Sequence, residues 1–227
     1  MKKKYFILIG MILFILIVVA VNIPQKEADE KLLDIDYDVK GNTVDLKYDT
    51  ENPVVAMHIE NYGSIVMELY PDIAPNTVNN FISLIKSGFY DDNTMHRLMK
   101  NFVLQGGDPT GTGSGGPGYT IDGEFTSNGF ENNLSHEKWV VSMARTSSNP
   151  NSAGSQFFIC LNDNSLSLDG DYAAFGKVID GFEIIEKIEN EEEVSDMKTG
   201  KLSKNLKIEK VLVDLQGKKY KKVIKNS

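Results

Sequence analysis

A mainly β domain, a barrel with two helices over its open ends, is what this sequence predicts, and three observations carry the prediction. Short apolar runs separated by Gly, Asn and Asp recur at the spacing of sandwich or barrel strands. Only two segments place apolar residues three to four apart, the helical period. Cys160 is the single cysteine, so no internal disulfide is available and the core alone must hold the fold.

Taken in order, Val54 to Ile59 and Ser64 to Leu69 read as two strands joined at Asn61-Tyr62-Gly63, a hairpin signal. Asn76 to Lys86 reads as an amphipathic helix through Val78, Phe81, Ile82 and Ile85, with Pro75 suited to its first turn and Gly88 to its stop. Strands are expected in the His96 to Asp108 segment, with Phe102 to Gln105 apolar enough to be one, and at Trp139 to Ala144, Gln156 to Leu161 and Ala173 to Ile179. Gly181 to Ile188 predicts a second helix through Phe182, Ile184, Ile185 and Ile188. A charged loop, Glu189 to Lys204, and a closing strand, Leu206 to Leu215, follow.

The chain has 227 residues and a formal charge of −8, and three of its cations are Lys2 to Lys4, so the remainder is more acidic still. Such a body lacks the basic footprint that phosphates require, which argues against nucleic acid. Lys2 to Lys4 precede Tyr5 to Val21, apolar apart from Gly10, which reads as a signal-anchor or a signal peptide over residues 1–24. Val18-Val19-Ala20 is a poor cleavage site, favouring the uncleaved anchor. The positive-inside rule then keeps the lysines cytoplasmic, the domain outside the cytoplasm and the membrane as a partner of the N-terminal helix; cleavage would leave it secreted. Residues 25–52 read as an acidic tether, part of which could pair at a sheet edge. Residues 53–216 form the domain, and 217–227, with five lysines, a solvated basic tail.

Chemistry concentrates in two places, His96 to Asp108 and Ser155 to Ile159. Strand alternation can gather Arg97, Phe102, Gln105, Gln156 and Phe158 on one surface while their neighbours face a core. That surface offers donors beside an apolar pocket, with no nucleophile or paired carboxylates, so hydrolysis is disfavoured. Residue chemistry leaves Arg97 open between a surface cation and a ligand contact. Gly111 to Gly116 has the letters of a dinucleotide fingerprint, but Pro117-Gly118-Tyr119-Thr120 does not open a helix, so a flexible loop is the reading. None of His58, His96 and His136 has a partner at metal-ligand spacing, so no metal is expected. His96 reads as a hydrogen-bonded core histidine, Asp122 and Glu124 as solvated surface, and Cys160 as a buried core residue.

Together these residues make the chain from about Pro53 to Leu215 resemble the cyclophilin-type peptidyl-prolyl cis-trans isomerases. The resemblance rests on Ala74-Pro75-Asn76-Thr77-Val78-Asn79-Asn80-Phe81, Gly88-Phe89-Tyr90 before His96-Arg97, Phe102 to Asp108 and the glycine loop. Ser142-Met143-Ala144-Arg145, Ser152 to Ile159, Leu168-Asp169-Gly170 and Phe175-Gly176-Lys177-Val178 continue it in the family's order. It implies an eight-stranded antiparallel barrel capped by two helices and an isomerase that needs no cofactor. It makes Arg97 catalytic, Phe102, Val103, Phe158 and Tyr172 the walls of a proline pocket, and Gln105 and Gln156 substrate hydrogen-bonders. The backbone of Ala144, Arg145 and Thr146 would pair with substrate, and Gly113 and Leu168 complete the binding set.

The implied partners are X-Pro segments of unfolded or newly exported proteins. Some positions depart from the family's best-known pattern. Leu166-Ser167 stands where a rim tryptophan would, with one extra residue in the loop, which implies weak cyclosporin binding. Tyr172 replaces a histidine, Val103 a Met, Lys100-Asn101 a Pro-Gly, and Arg145-Thr146 an Asn-Ala. Activity is expected to survive these changes; the alternative is a module that holds proline segments as a chaperone or assembly factor with little turnover.

Overall fold

The computed structural model describes residues 42–46 and 48–226, so the segment read as an anchor and most of the acidic tether lie outside the described residues. Among the described residues no helix is long and apolar enough to cross a membrane.

The described residues form nine strands: β1 (Val54–Ile59), β2 (Gly63–Leu69), β3 (Thr94–Met99), β4 (Val103–Gly106), β5 (Val140–Met143), β6 (Phe157–Cys160), β7 (Ala174–Asp180), β8 (Val194–Asp196) and β9 (Lys201–Asp214). They run in the order β1-β2-β7-β5-β6-β4-β3-β9, and β9 pairs back to β1, closing an eight-stranded antiparallel barrel with β8 attached outside the ring to β9. Closure removes the free sheet edges that would otherwise template aggregation. The barrel interior is apolar throughout. At its centre Phe81 meets the rings of Tyr90, Phe175 and Phe157 at 5.0, 5.1 and 5.4 Å, while Tyr90 satisfies its hydroxyl on the Ser155 carbonyl at 2.8 Å.

Helix α1 (Pro75–Lys86) turns Val78, Phe81, Ile82 and Ile85 inward, as its periodicity required. Ala74 at its N-cap has no side chain with which to cap the first turn. Glu124 does so from a distant loop: its carboxylate accepts from the Asn76 and Thr77 amides at 2.9 and 2.8 Å. A buried carboxylate is tolerable there because free N–H groups and the helix dipole favour negative charge. The solvated-surface reading of Glu124 is thereby corrected; the side chain is buried.

Four further readings change. Within the stretch read as a charged loop, Val194–Asp196 and Lys201 onward form a hairpin, because Asp196 accepts from the Lys198 amide at 2.9 Å and Gly200 turns the chain at φ +75°. The last strand consequently begins at Lys201 rather than Leu206, and helix α3 (Phe182–Glu191) runs past Ile188. A short turn of helix, α2 (Ser165–Leu168), lies in the loop where no element was expected.

Residues assigned to the tether and tail are also partly docked. Thr43 bridges Val213 in parallel, Leu46 is buried, and its amide donates to Asp214 at 2.7 Å. In the tail, Val223 joins the core and Asn76 exchanges hydrogen bonds of 2.8 and 2.9 Å with the backbone of Ile224.

Candidate active site

The site lies on the outer face of the barrel. Val103, Phe158, Cys160, Val140 and Ala174 point outward from β4, β6, β5 and β7 and form a second apolar layer, joined by Leu168 and flanked by Phe102, Ala144 and Tyr172. Strand alternation explains the division: Phe157 and Ile159 enter the barrel, Phe158 and Cys160 leave it. A cavity of about 200 Å³ opens over this layer, lined by Arg97, Phe102, Val103, Gln105, Ala144, Arg145, Phe158, Leu168 and Tyr172. Phe158 and Tyr172 meet edge to face at 5.7 Å.

Alternation alone could not have assembled this set. Met95 and Arg97 share a parity, yet Met95 is buried in the barrel and Arg97 faces the pocket. A bulge at His96 separates them, for Met95 pairs with Gly106 while Arg97 pairs with Gln105. Phe102 and Gln105 differ in parity; Phe102 escapes the rule by sitting in the turn before β4, where its amide donates to the Met99 carbonyl at 2.9 Å.

A directional chain of polar groups holds the rim. Arg97 can only donate, so the Gln105 oxygen accepts from Nη1 at 3.0 Å; the Gln105 amide nitrogen then donates to the Gln156 oxygen at 2.9 Å. Gln156 in turn donates to the carbonyls of Gly113 and Gly115 at 3.0 and 2.9 Å. The Thr199 carbonyl accepts from Arg97 Nε at 2.8 Å, and the Met99 sulfur lies against Nη2. Burial draws the guanidinium below its usual pKa, but arginine remains charged. Sequence reasoning missed Thr199 and Met99, for nothing in a charged loop signals which carbonyl will meet an arginine.

Asp108 organises the glycine loop. Its carboxylate accepts from the Thr110 and Gly113 amides at 2.7 and 2.6 Å and from the Thr110 hydroxyl at 2.8 Å. Burial would raise its pKa, but these donors prevail and hold it well below the usual carboxylate range. Gly107 is required for the approach to that loop: φ is +88°, and a Cβ would lie 2.4 Å from the Ser155 carbonyl oxygen. No helix follows Gly111 to Gly116, as expected.

Two of the three amides of Ala144–Thr146 already have partners. The Ala144 amide donates to the Gln156 carbonyl at 2.9 Å and the Thr146 amide to Ser152 Oγ at 2.9 Å. A substrate cannot use these two donors. The Arg145 side chain instead lines the cavity, with its guanidinium 4.8 Å from the Tyr172 ring and its Nε on the Asp171 carbonyl at 2.8 Å.

Behind the pocket, His136 links Asp169 (Nδ1, 2.7 Å) and Ser142 Oγ (Nε2, 2.9 Å). The order imitates a Ser-His-Asp triad, but Ser142 is 0% exposed and no substrate carbonyl can reach it. Burial holds the His136 pKa below its ordinary value despite Asp169, so a neutral ring donates from Nδ1 and accepts from Ser142 at Nε2. The network braces Phe158, whose ring stacks on His136 at 6.1 Å. His96, read as hydrogen-bonded, is buried with neither ring nitrogen partnered among the described residues, because the bulge places it beneath the glycine loop rather than in the core. Its pKa is likewise lowered, mainly by burial. Cys160 is inert, its thiol pushed up to about 12 by burial.

Two neutral histidines set an acid limit. Both have folded pKa values below the unfolded one, so the unfolded chain takes up protons first: stability is full above about pH 6.5 and falls as pH drops below it, by up to about 1.4 kcal/mol per unit for each histidine. Urea unfolding at pH 7.5 and 5.5 checks this, and equal midpoints would contradict it.

No group of three or more His, Cys, Asp or Glu side chains placed to hold a metal occurs among the described residues. What the geometry defines is a small pocket with aromatic and aliphatic walls and a fixed guanidinium at its rim, on the outer face of an eight-stranded antiparallel barrel. The family described as cyclophilin type peptidyl-prolyl cis-trans isomerase matches residues 54–213, and the chain belongs to it. Peptidyl-prolyl cis-trans isomerase B of Bacillus subtilis is 44% identical over 132 residues, covering 58% of this chain and 87% of that protein. The Helicobacter pylori peptidyl-prolyl cis-trans isomerase is 41% identical over 130 residues, covering 56% and 76%. Against the isomerase-like 2 protein of Rhizopus delemar, 43% identical over 133 residues, the match spans 58% of this chain but only 24% of the relative. The crystal structure of a Cryptosporidium parvum cyclophilin in the presence of the dipeptide Ala-Pro superposes with a TM-score of 0.62 at 36% identity, covering 70% of this chain and 98% of that one.

Proposed function

We propose that this chain catalyses cis-trans isomerisation of X-Pro bonds in proteins folding outside the cytoplasm. The observation that carries the reading is the Arg97 guanidinium, fixed by Gln105 and the Thr199 carbonyl over a pocket of about 200 Å³ walled by Phe102, Phe158 and Tyr172. Rotating a peptide bond faces about 18–20 kcal/mol because the C–N bond is partly double. Near 90° of twist resonance breaks and the prolyl nitrogen regains its lone pair. A donor aimed at that nitrogen then binds the twisted amide better than the planar one, which lowers the barrier with no covalent step. Phe102, Phe158 and Tyr172 would hold the ring while the preceding carbonyl rotates. Proline suits such a site because its tertiary amide populates both isomers. The Ala-Pro dipeptide used with the Cryptosporidium parvum relative is consistent with this ligand class.

Arg97 in a fixed hydrogen-bonded geometry favours turnover over passive holding of proline segments. The test is the cis-to-trans rate of a short X-Pro peptide with residues 25–227. Acceleration supports the enzyme; binding without acceleration supports the holding module.

The extracytoplasmic setting is supported by Lys2 to Lys4 before the apolar run Tyr5 to Val21. Slow prolyl steps last tens of seconds, so a catalyst tethered beside emerging chains would shorten their folding. Protease added to intact cells should degrade the domain, whereas protection would place it inside. Cyclosporin is expected to inhibit poorly: Leu166-Ser167 stands where the family's rim tryptophan would, and Trp139 packs against Phe182 at 5.3 Å instead of lining the pocket. Nanomolar inhibition in the peptide assay would contradict this.

A further inference from the structure

Beyond the proline pocket the surface continues into a groove of about 770 Å³ that shares Gln105, Ala144 and Arg145 with it. One wall comes from Tyr119 and Thr120, and beside them lies the tail, which falls outside the family match ending at residue 213. The tail is built in rather than draped. Val223 is buried, Asn76 grips Ile224, and the Asn226 amide donates to the Thr120 carbonyl at 2.8 Å in an antiparallel bridge. Asn226 itself lines the groove, and Lys225 places its ammonium 3.7 Å from the centre of the Tyr119 ring. The described lining carries no negative charge. Arg145 is the only charged residue among the groove's described lining, no carboxylate lines it, and nearby Asp122 is tied to Asn226 at 3.0 Å.

We propose that Lys225 and Asn226, seated at the groove by the buried Val223, form with Arg145 a subsite that selects X-Pro clients carrying an acidic side chain a few residues from the proline. The proposal rests on the isomerase reading, and extended chain at about 3.3 Å per residue spans from the pocket into the groove. Each solvent-exposed ion pair favours the acidic client modestly, about two- to fivefold, and salt weakens the preference. The test compares kcat/KM for X-Pro peptides identical except for Glu or Lys two or three residues to either side of the proline. Fluorescence anisotropy measures binding of the same peptides. Wild type should favour the Glu peptide through KM, Lys225→Met should shrink the ratio, and Lys225→Glu should bring it to one or below. An unchanged ratio in both variants, at low salt, overturns the subsite. Wild type that binds the peptides with this charge preference but accelerates none overturns the isomerase reading alone.

Discussion

Replacing Arg97 by Ala is expected to lower kcat/KM on an X-Pro peptide by about 100- to 1000-fold, the range seen when one preorganised donor to a transition state is removed. The loss should fall mainly on kcat, because the planar ground state gains little from a donor aimed at a nitrogen without a free lone pair. Arg97→Lys should recover little. An ammonium cannot hold Gln105 Oε1 and the Thr199 carbonyl simultaneously while presenting a further N–H, which the planar fork does. Circular dichroism of the variant should be unchanged, since Arg97 lies at the pocket rim and contributes nothing to the barrel interior. A variant retaining wild-type kcat would remove Arg97 from the mechanism.

Phe158→Ala should cost both stability and binding. The ring is 5% exposed and lies between Val103, Cys160, Tyr172 and the His136 network, so its removal leaves a cavity that strands β4, β5 and β6 cannot close. About 3–5 kcal/mol is expected from a buried Phe-to-Ala change. The proline pocket would lose its floor, raising KM, while Arg97 and Gln105 stay in place; kcat should change much less. Denaturant midpoints and peptide kinetics on the same preparation check both, and a variant of wild-type stability with unchanged KM would show that Phe158 is not the floor. Phe158→Leu, which fills most of the volume, should recover most of the stability but less of the affinity.

Much of the barrel was legible because its signals are local. Strands β1, β2, β5, β6 and β7 and helix α1 are runs whose apolar period reports directly on the face they bury. The hairpin β8–β9 was not legible, since the apolar residues that seat it, Val194 and Leu202, are diluted among charges and only their partners show which face is inner. The residues lining the smaller cavity are all among those the resemblance picks out, while Gly113, Thr146 and Gln156 line the adjoining groove. Alternation by itself would have put Arg97 on the side of Met95 and Phe102 opposite Gln105. Glu124 illustrates the converse case, since its role exists only because a loop carries it to the amides of Asn76 and Thr77.

Periodicity, composition and motif order are properties of the chain, and from them follow the closed antiparallel barrel, the lack of an internal disulfide and the residue types at the site. The direction in which Arg97 points, the acceptors that hold it and the reach of the tail to the groove arise from long-range packing. The His96 bulge, the Thr199 contact and the Thr120–Asn226 bridge each depend on pairings between distant segments, whose register follows from packing rather than from local preference.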